Sequence, residues 1–100
     1  MRVAVYNAAG TDLVLGLADN QFTASDYWRN AANHAPWQAK MTSTAYSNWS
    51  SGKNTDANTY LQVDLGSVKE VAGIGTKGRY HHANQYVKSC LLYTSDAADE

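Results

Sequence analysis

A single cysteine, Cys90, stands in this chain of 100 residues. It can close no internal disulfide, and on composition alone a lone thiol leans toward a reducing compartment. Charge is also scarce: charged residues make up 17%, and 8 Lys+Arg against 9 Asp+Glu leave a formal net charge of −1. No stripe of Lys and Arg is present, which argues against a nucleic-acid binder. No apolar run approaches the length of a membrane span. Met1 to Gly10, MRVAVYNAAG, has one arginine but lacks the apolar centre of a secretory signal, so no signal peptide is read in this chain.

Catalytic groupings are missing as well. The acids Asp12, Asp19, Asp26, Asp56, Asp64 and Glu70 are scattered and form no paired-carboxylate motif, and no serine lies in a glycine-flanked nucleophile elbow. The expectation is that the chain is not an enzyme. His81 and His82 are adjacent and His34 lies far away, with no Cys or carboxylate at ligand spacing, so no metal and no cofactor is predicted.

What is present fits one small β-rich domain. Hydrophobic residues are 44% of the chain, and the aromatics are three Trp, seven Tyr and one Phe. The organising stretch is YLQVDLGSVKEVAGIGTKGR, from Tyr60 to Arg79. Leu61, Val63 and Leu65 alternate with Tyr60, Gln62 and Asp64, as in a strand with one buried face. Gly66-Ser67 breaks the run, and Val68 to Thr76 reads as a second strand joined to the first by a short turn. Gly73 and Gly75 inside it point to a bulge or a close backbone approach. Asp64, at the end of VDLG, is expected to make a structural hydrogen bond or salt bridge.

Upstream, Arg2 to Tyr6 alternates like a short strand. Leu13 to Leu17 is apolar, and Phe22 and Ala24 are read as inward-facing, with Thr23 and Ser25 pointing away. Asp26 to Trp37, DYWRNAANHAPW, is the least strand-like part of the first half. Trp37 reads as structural, whereas Trp28 is open to both a core-capping and a ligand-contacting role. Gln38 to Met41 is expected to form a brief helical turn. Asn48-Trp49-Ser50 satisfies the N-glycosylation triplet, although a buried Trp49 would hinder modification. Gly52 to Asn58 is a turn by composition. Tyr80 to Gln85 is a polar loop, and Tyr86 to Ser89 begins another strand.

The succession LGLADNQFTAS at 15–25, HAPWQAK at 34–40, NWSS at 48–51, YLQVDLG at 60–66, VAGIGTKGR at 71–79 and NQYVKS at 84–89 resembles the discoidin domain, also called the coagulation factor V/VIII type C domain. The resemblance implies an all-β fold: an antiparallel β-sandwich, jelly-roll-like and galactose-binding-domain-like, here incomplete. It places Trp49 between the sheets and divides the chain into an unassigned segment 1–12, a partial discoidin domain 13–89 and a doubtful tail 90–100. That tail, CLLYTSDAADE, reads in one frame like a translated sequencing-library adapter, and also loosely like the family's next strand with a Ser-Asp turn. The family usually closes its domain with a disulfide between its ends, and neither end is recognisable here. Some relatives hold calcium with an Asp in an early loop; Asp19 and Asn20 match that feature too loosely to assign a site.

Family members bind through loop spikes at one end of the barrel. By resemblance, the ligand-binding candidates are Tyr27, Trp28, Arg29, His34, Lys77, Arg79, Tyr80, His81 and His82. Aromatics would supply apolar contact and the bases would attract phosphate, sulfate or carboxylate. The implied function is a non-catalytic extracellular binding or adhesion module, secreted or part of a cell-surface protein. The implied partners are a glycan, an anionic phospholipid surface or an extracellular matrix protein. A carbohydrate-binding accessory module of a glycan-acting enzyme is the alternative, and a truncated fragment with no function of its own is a third.

Overall fold

The computed structural model describes residues 1–43, 47–52 and 58–78. The predicted loop 80–85, the strand start 86–89 and the tail 90–100 lie outside them. The described residues form four strands: β1 (Arg2–Tyr6), β2 (Phe22–Ala24), β3 (Leu61–Val63) and β4 (Gly73–Lys77). They make two antiparallel ladders, β1 with β4 and β2 with β3. Short 3-10 turns at Asp19–Gln21, Trp28–Asn30, Ala32–His34 and Pro36–Ala39 supply the rest of the regular structure. The expected all-β, antiparallel architecture is what these residues adopt.

β1 carries the core. Val3 and Ala4 point to opposite faces of a strand, and both are buried, so β1 is covered on two sides. Its register with β4 runs from Arg2 opposite Lys77 to Tyr6 opposite Gly73. The ring of Tyr6 lies against β4 at Gly75, where a Cβ would meet Tyr6 Cε2 at 3.4 Å, an ordinary van der Waals contact. Val3 also gathers with Ala39 and Trp49 into a buried cluster, against which Met1, Ala24, Tyr27, Leu61 and Val63 pack. The cluster draws on β1 from one ladder and on β2 and β3 from the other, so the ladders share one apolar centre. Trp49 is only 7% exposed, as the sequence led us to expect.

β2 and β3 pair through Phe22–Val63, Thr23–Gln62 and Ala24–Leu61. Phe22 is buried and Thr23 exposed, which is the predicted phase. Lys40 seals the edge of this packing. Its Nζ donates to the carbonyl of Leu17 at 2.6 Å and lies 5.6 Å from the Phe22 ring centroid. The brief helical turn expected over Gln38 to Met41 is present two residues earlier, as Pro36–Ala39, with the proline at its first position, where its missing N–H costs nothing.

One expectation is overturned. β3 and β4 are not a hairpin, because each pairs with a strand from the N-terminal part of the chain and they lie in different ladders. The turn itself forms: Gly66 has φ +87°, and its N–H donates to Asp64 Oδ1 at 2.8 Å, which is the structural hydrogen bond foreseen for Asp64. Past that turn, 68–72 carries no strand, and Val68 and Val71 are exposed. The chain crosses from one ladder to the other before Ala72 N–H bonds the Tyr6 carbonyl and β4 begins.

Candidate functional site

The loop from Asp26 to His34 leaves β2 and folds back in two successive 3-10 turns. Within it, Arg29 (φ +54°) and Asn30 (φ +50°) occupy the left-handed region one after the other. Two adjacent non-glycine residues there are costly, on the order of 1 kcal/mol each, so the surrounding contacts must hold them. The reversal presents Trp28 at 41% exposure, with Arg29 and Asn30 also exposed. The guanidinium carbon of Arg29 lies 5.5 Å from the centroid of the Trp28 ring. The tip thus offers an indole and a cation as one amphipathic unit.

Its base is anchored inward. Tyr27 is half-buried, packs on the core cluster and meets Trp37 edge-to-face, with ring centroids 6.4 Å apart and planes at 61°. Trp28 N–H donates to the Ser50 carbonyl at 2.8 Å, and Trp49 Nε1–H donates to the Asp26 carbonyl at 3.1 Å.

The predicted residues therefore occupy different places. Trp28 and Arg29 are together at the surface. Tyr27 stands beneath them as part of the packing. His34 is 7% exposed and lies under the surface, its carbonyl accepting from Ser50 N–H. Lys77 is exposed at the end of β4 opposite Arg2. Met1 is bonded to the Trp49 carbonyl and Trp28 N–H to the Ser50 carbonyl, so the start of β1 and the Trp28 loop both lie against 49–50. Arg79, Tyr80, His81 and His82 lie outside the described residues.

One exposed aromatic was not singled out in the sequence. Tyr60, at 53% exposure, is tied to the start of the loop by Ser25 N–H to its carbonyl and by its own N–H to Ser25 Oγ, each 3.1 Å. Its outward phase with Gln62 and Asp64 was legible and could have flagged it. Among the described residues no group of three or more His, Cys, Asp or Glu side chains gathers as a metal site. No helix among them is long and apolar enough to cross a membrane.

A sequence profile of the F5/8 type C domain matches residues 21–100. The chain is 34% identical over 92 residues to lactadherin from Sus scrofa and 37% identical over 92 residues to lactadherin from Bos taurus. Each alignment takes in 82% of this chain and 22% of the relative, so the chain spans about a fifth of the length of these curated relatives. No solved structure matches. With most of its length matched by the profile, the chain belongs to the F5/8 type C, or discoidin, domain family of non-catalytic binding modules.

Proposed function

We propose that this chain is an extracellular binding module that engages anionic phospholipid surfaces through the tip built on Trp28 and Arg29. The observation that carries the reading is the exposed Trp28 ring with the Arg29 guanidinium 5.5 Å from its centroid. An indole settles at the boundary between headgroups and acyl chains, with its apolar body inward and its N–H wet. A cation beside it adds about 1 kcal/mol near an anionic leaflet. Lys77, exposed at the end of β4, is the second positive charge assigned to the proposed patch. Arg79, Tyr80, His81 and His82 belong to the proposed patch, with Tyr27 supporting it from beneath. His34, buried in the loop, shapes the patch without reaching a ligand.

Sedimentation with phosphatidylserine-containing vesicles, compared with pure phosphatidylcholine vesicles, tests the reading. Binding should require the anionic lipid, and Trp28→Ala should weaken it about tenfold or more, the loss of one buried aromatic contact. Equal binding to both vesicle types, or no effect of Trp28→Ala and Arg29→Ala together, would refute it. The glycan reading rests on a different observation: Tyr60 shares the outward face of β2 and β3 with Thr23, Ser25 and Gln62. An aromatic flanked by hydroxyl and amide groups suits the apolar face and hydroxyls of a sugar ring. Glycan binding lost in Tyr60→Ala and retained in Trp28→Ala would favour it over the lipid reading.

A further inference from the structure

We infer that Asp26 is the positioning residue of the Trp28–Arg29 tip, acting as a clasp between the tip loop and the segment 48–52. The inference deepens the phospholipid reading and rests on it for its ligand. Asp26 is the first loop residue after β2 and Ser25, two positions before the exposed indole, and it is bonded through two different groups. Its carbonyl accepts the indole N–H of the buried Trp49 at 3.1 Å. Its side-chain Oδ1 accepts the backbone N–H of Gly52 at 3.0 Å. A third bond between the same two segments runs from Trp28 N–H to the Ser50 carbonyl at 2.8 Å.

Gly52 is fitted to this clasp. A Cβ at that position would stand 2.6 Å from Asp26 Oδ2 and 3.1 Å from its Cγ, so any side chain there would push the carboxylate aside. Its backbone is what the carboxylate needs, close and unobstructed. The clasp explains how the left-handed pair Arg29 and Asn30 is sustained: strained backbone persists where neighbouring contacts over-determine it. With Trp28 N–H and Asp26 both fixed to 48–52, the chain between them has little freedom, and the reversal at Arg29 throws the indole and guanidinium outward. A tip held in this way binds without first having to order itself.

Two readouts on the full chain test the clasp, one of them independent of any ligand. Asp26→Ala removes the side-chain acceptor, whereas Asp26→Asn retains an oxygen for the Gly52 N–H and serves as the conservative rescue. In amide hydrogen exchange, Asp26→Ala should raise the rates at Trp28 and Gly52 about tenfold, leaving the β1–β4 amides within about twofold of wild type. In the second readout it should raise the phosphatidylserine-vesicle concentration at half-saturation about tenfold, and Asp26→Asn should restore both values. Should Asp26→Ala fail to fold, seen as lost protection throughout β1 and β4, Gly52→Ala takes its place. It displaces the carboxylate without removing it, and the same pattern is expected.

Three results would overturn the inference. The first is unchanged exchange at Trp28 and Gly52, the second is locally accelerated exchange with vesicle affinity at the wild-type value, and the third is Asp26→Asn behaving like Asp26→Ala. If wild-type chain ignores the vesicles, the phospholipid reading falls while the exchange arm still decides whether the clasp holds the tip.

Discussion

The side-chain oxygen of Asn48 accepts the hydroxyl of Ser50 at 2.9 Å, so the first and third residues of the glycosylation triplet are bonded to each other. The same oxygen accepts from the Met1 nitrogen at 2.7 Å, and Asn48 is only 1% exposed. Its Nδ2, the atom a glycan would occupy, is buried and has no hydrogen-bond partner among the described residues. Folded chain secreted from a mammalian cell should therefore carry no glycan at Asn48. Its mass should not change on treatment with an N-glycosidase; a shift that disappears in Ser50→Ala would contradict this placement.

Trp49 fills the shared centre of the two ladders and also bonds the Asp26 carbonyl, and these two roles separate by substitution. Trp49→Phe keeps most of the apolar volume and should cost on the order of 1 kcal/mol from the lost hydrogen bond. Trp49→Ala should cost about 3–5 kcal/mol through the cavity it leaves, enough to unfold a small domain. Urea titration reads both, and near-equal losses would mean that the ring's packing contributes little.

Asn30 lies at φ +50°, where asparagine is tolerated and a β-branched residue is not. Asn30→Val should destabilise by about 1–2 kcal/mol, and Asn30→Gly should be neutral or mildly stabilising. A valine variant with an unaltered unfolding midpoint would show that this backbone is not left-handed in solution.

Lys40 places a cation on the Leu17 carbonyl at 2.6 Å from a half-buried position. Lys40→Met retains the aliphatic stem against Phe22 and loses the charged donor, for an expected cost of about 1.5 kcal/mol. Thermal unfolding that is unaffected by the change would remove this bond from the account of the fold.

The membrane reading carries its own salt dependence. Arg29→Ala should flatten the loss of vesicle binding with rising ionic strength, because one of the screened charges is gone. Trp28→Ala should weaken binding at every salt concentration by a similar factor. Identical salt profiles for wild type and Arg29→Ala would take the guanidinium out of the contact.

Much of the local structure was legible because its signals are local. Alternation gave β1 over Arg2–Tyr6 and β3 over Leu61–Val63, and the inward phase of Phe22 gave β2. The turn at Gly66 was legible too, from a glycine two residues after an aspartate. Which strand each partner would choose was not, since a turn signal fixes the reversal and not the sheet on either side of it. β3 and β4 looked like a hairpin for that reason. At the site, the aromatic and basic content of 26–37 marked the loop, and Trp28 and Arg29 stand exposed within it. The burial of His34 was not foreseeable, because it comes from the fold of consecutive 3-10 turns against 48–50 and leaves no periodic trace. Nor was the part of Asp26, one of six acids that looked scattered in the sequence until Gly52 was brought beside it.

The β1–β4 ladder joins Arg2 to Lys77 and Tyr6 to Gly73. Bringing such distant partners together closes a loop of roughly seventy residues, and that entropy is spent before any ladder bond forms. The β2–β3 pairing closes a shorter loop, from Phe22 to Val63, yet still cannot begin until β3 has been made. On a ribosome the buried face of β1 therefore waits, uncovered, while nearly all of this stretch is synthesised. Folding should be slow for the chain's size, with β1 the segment most in need of a chaperone's protection during that interval.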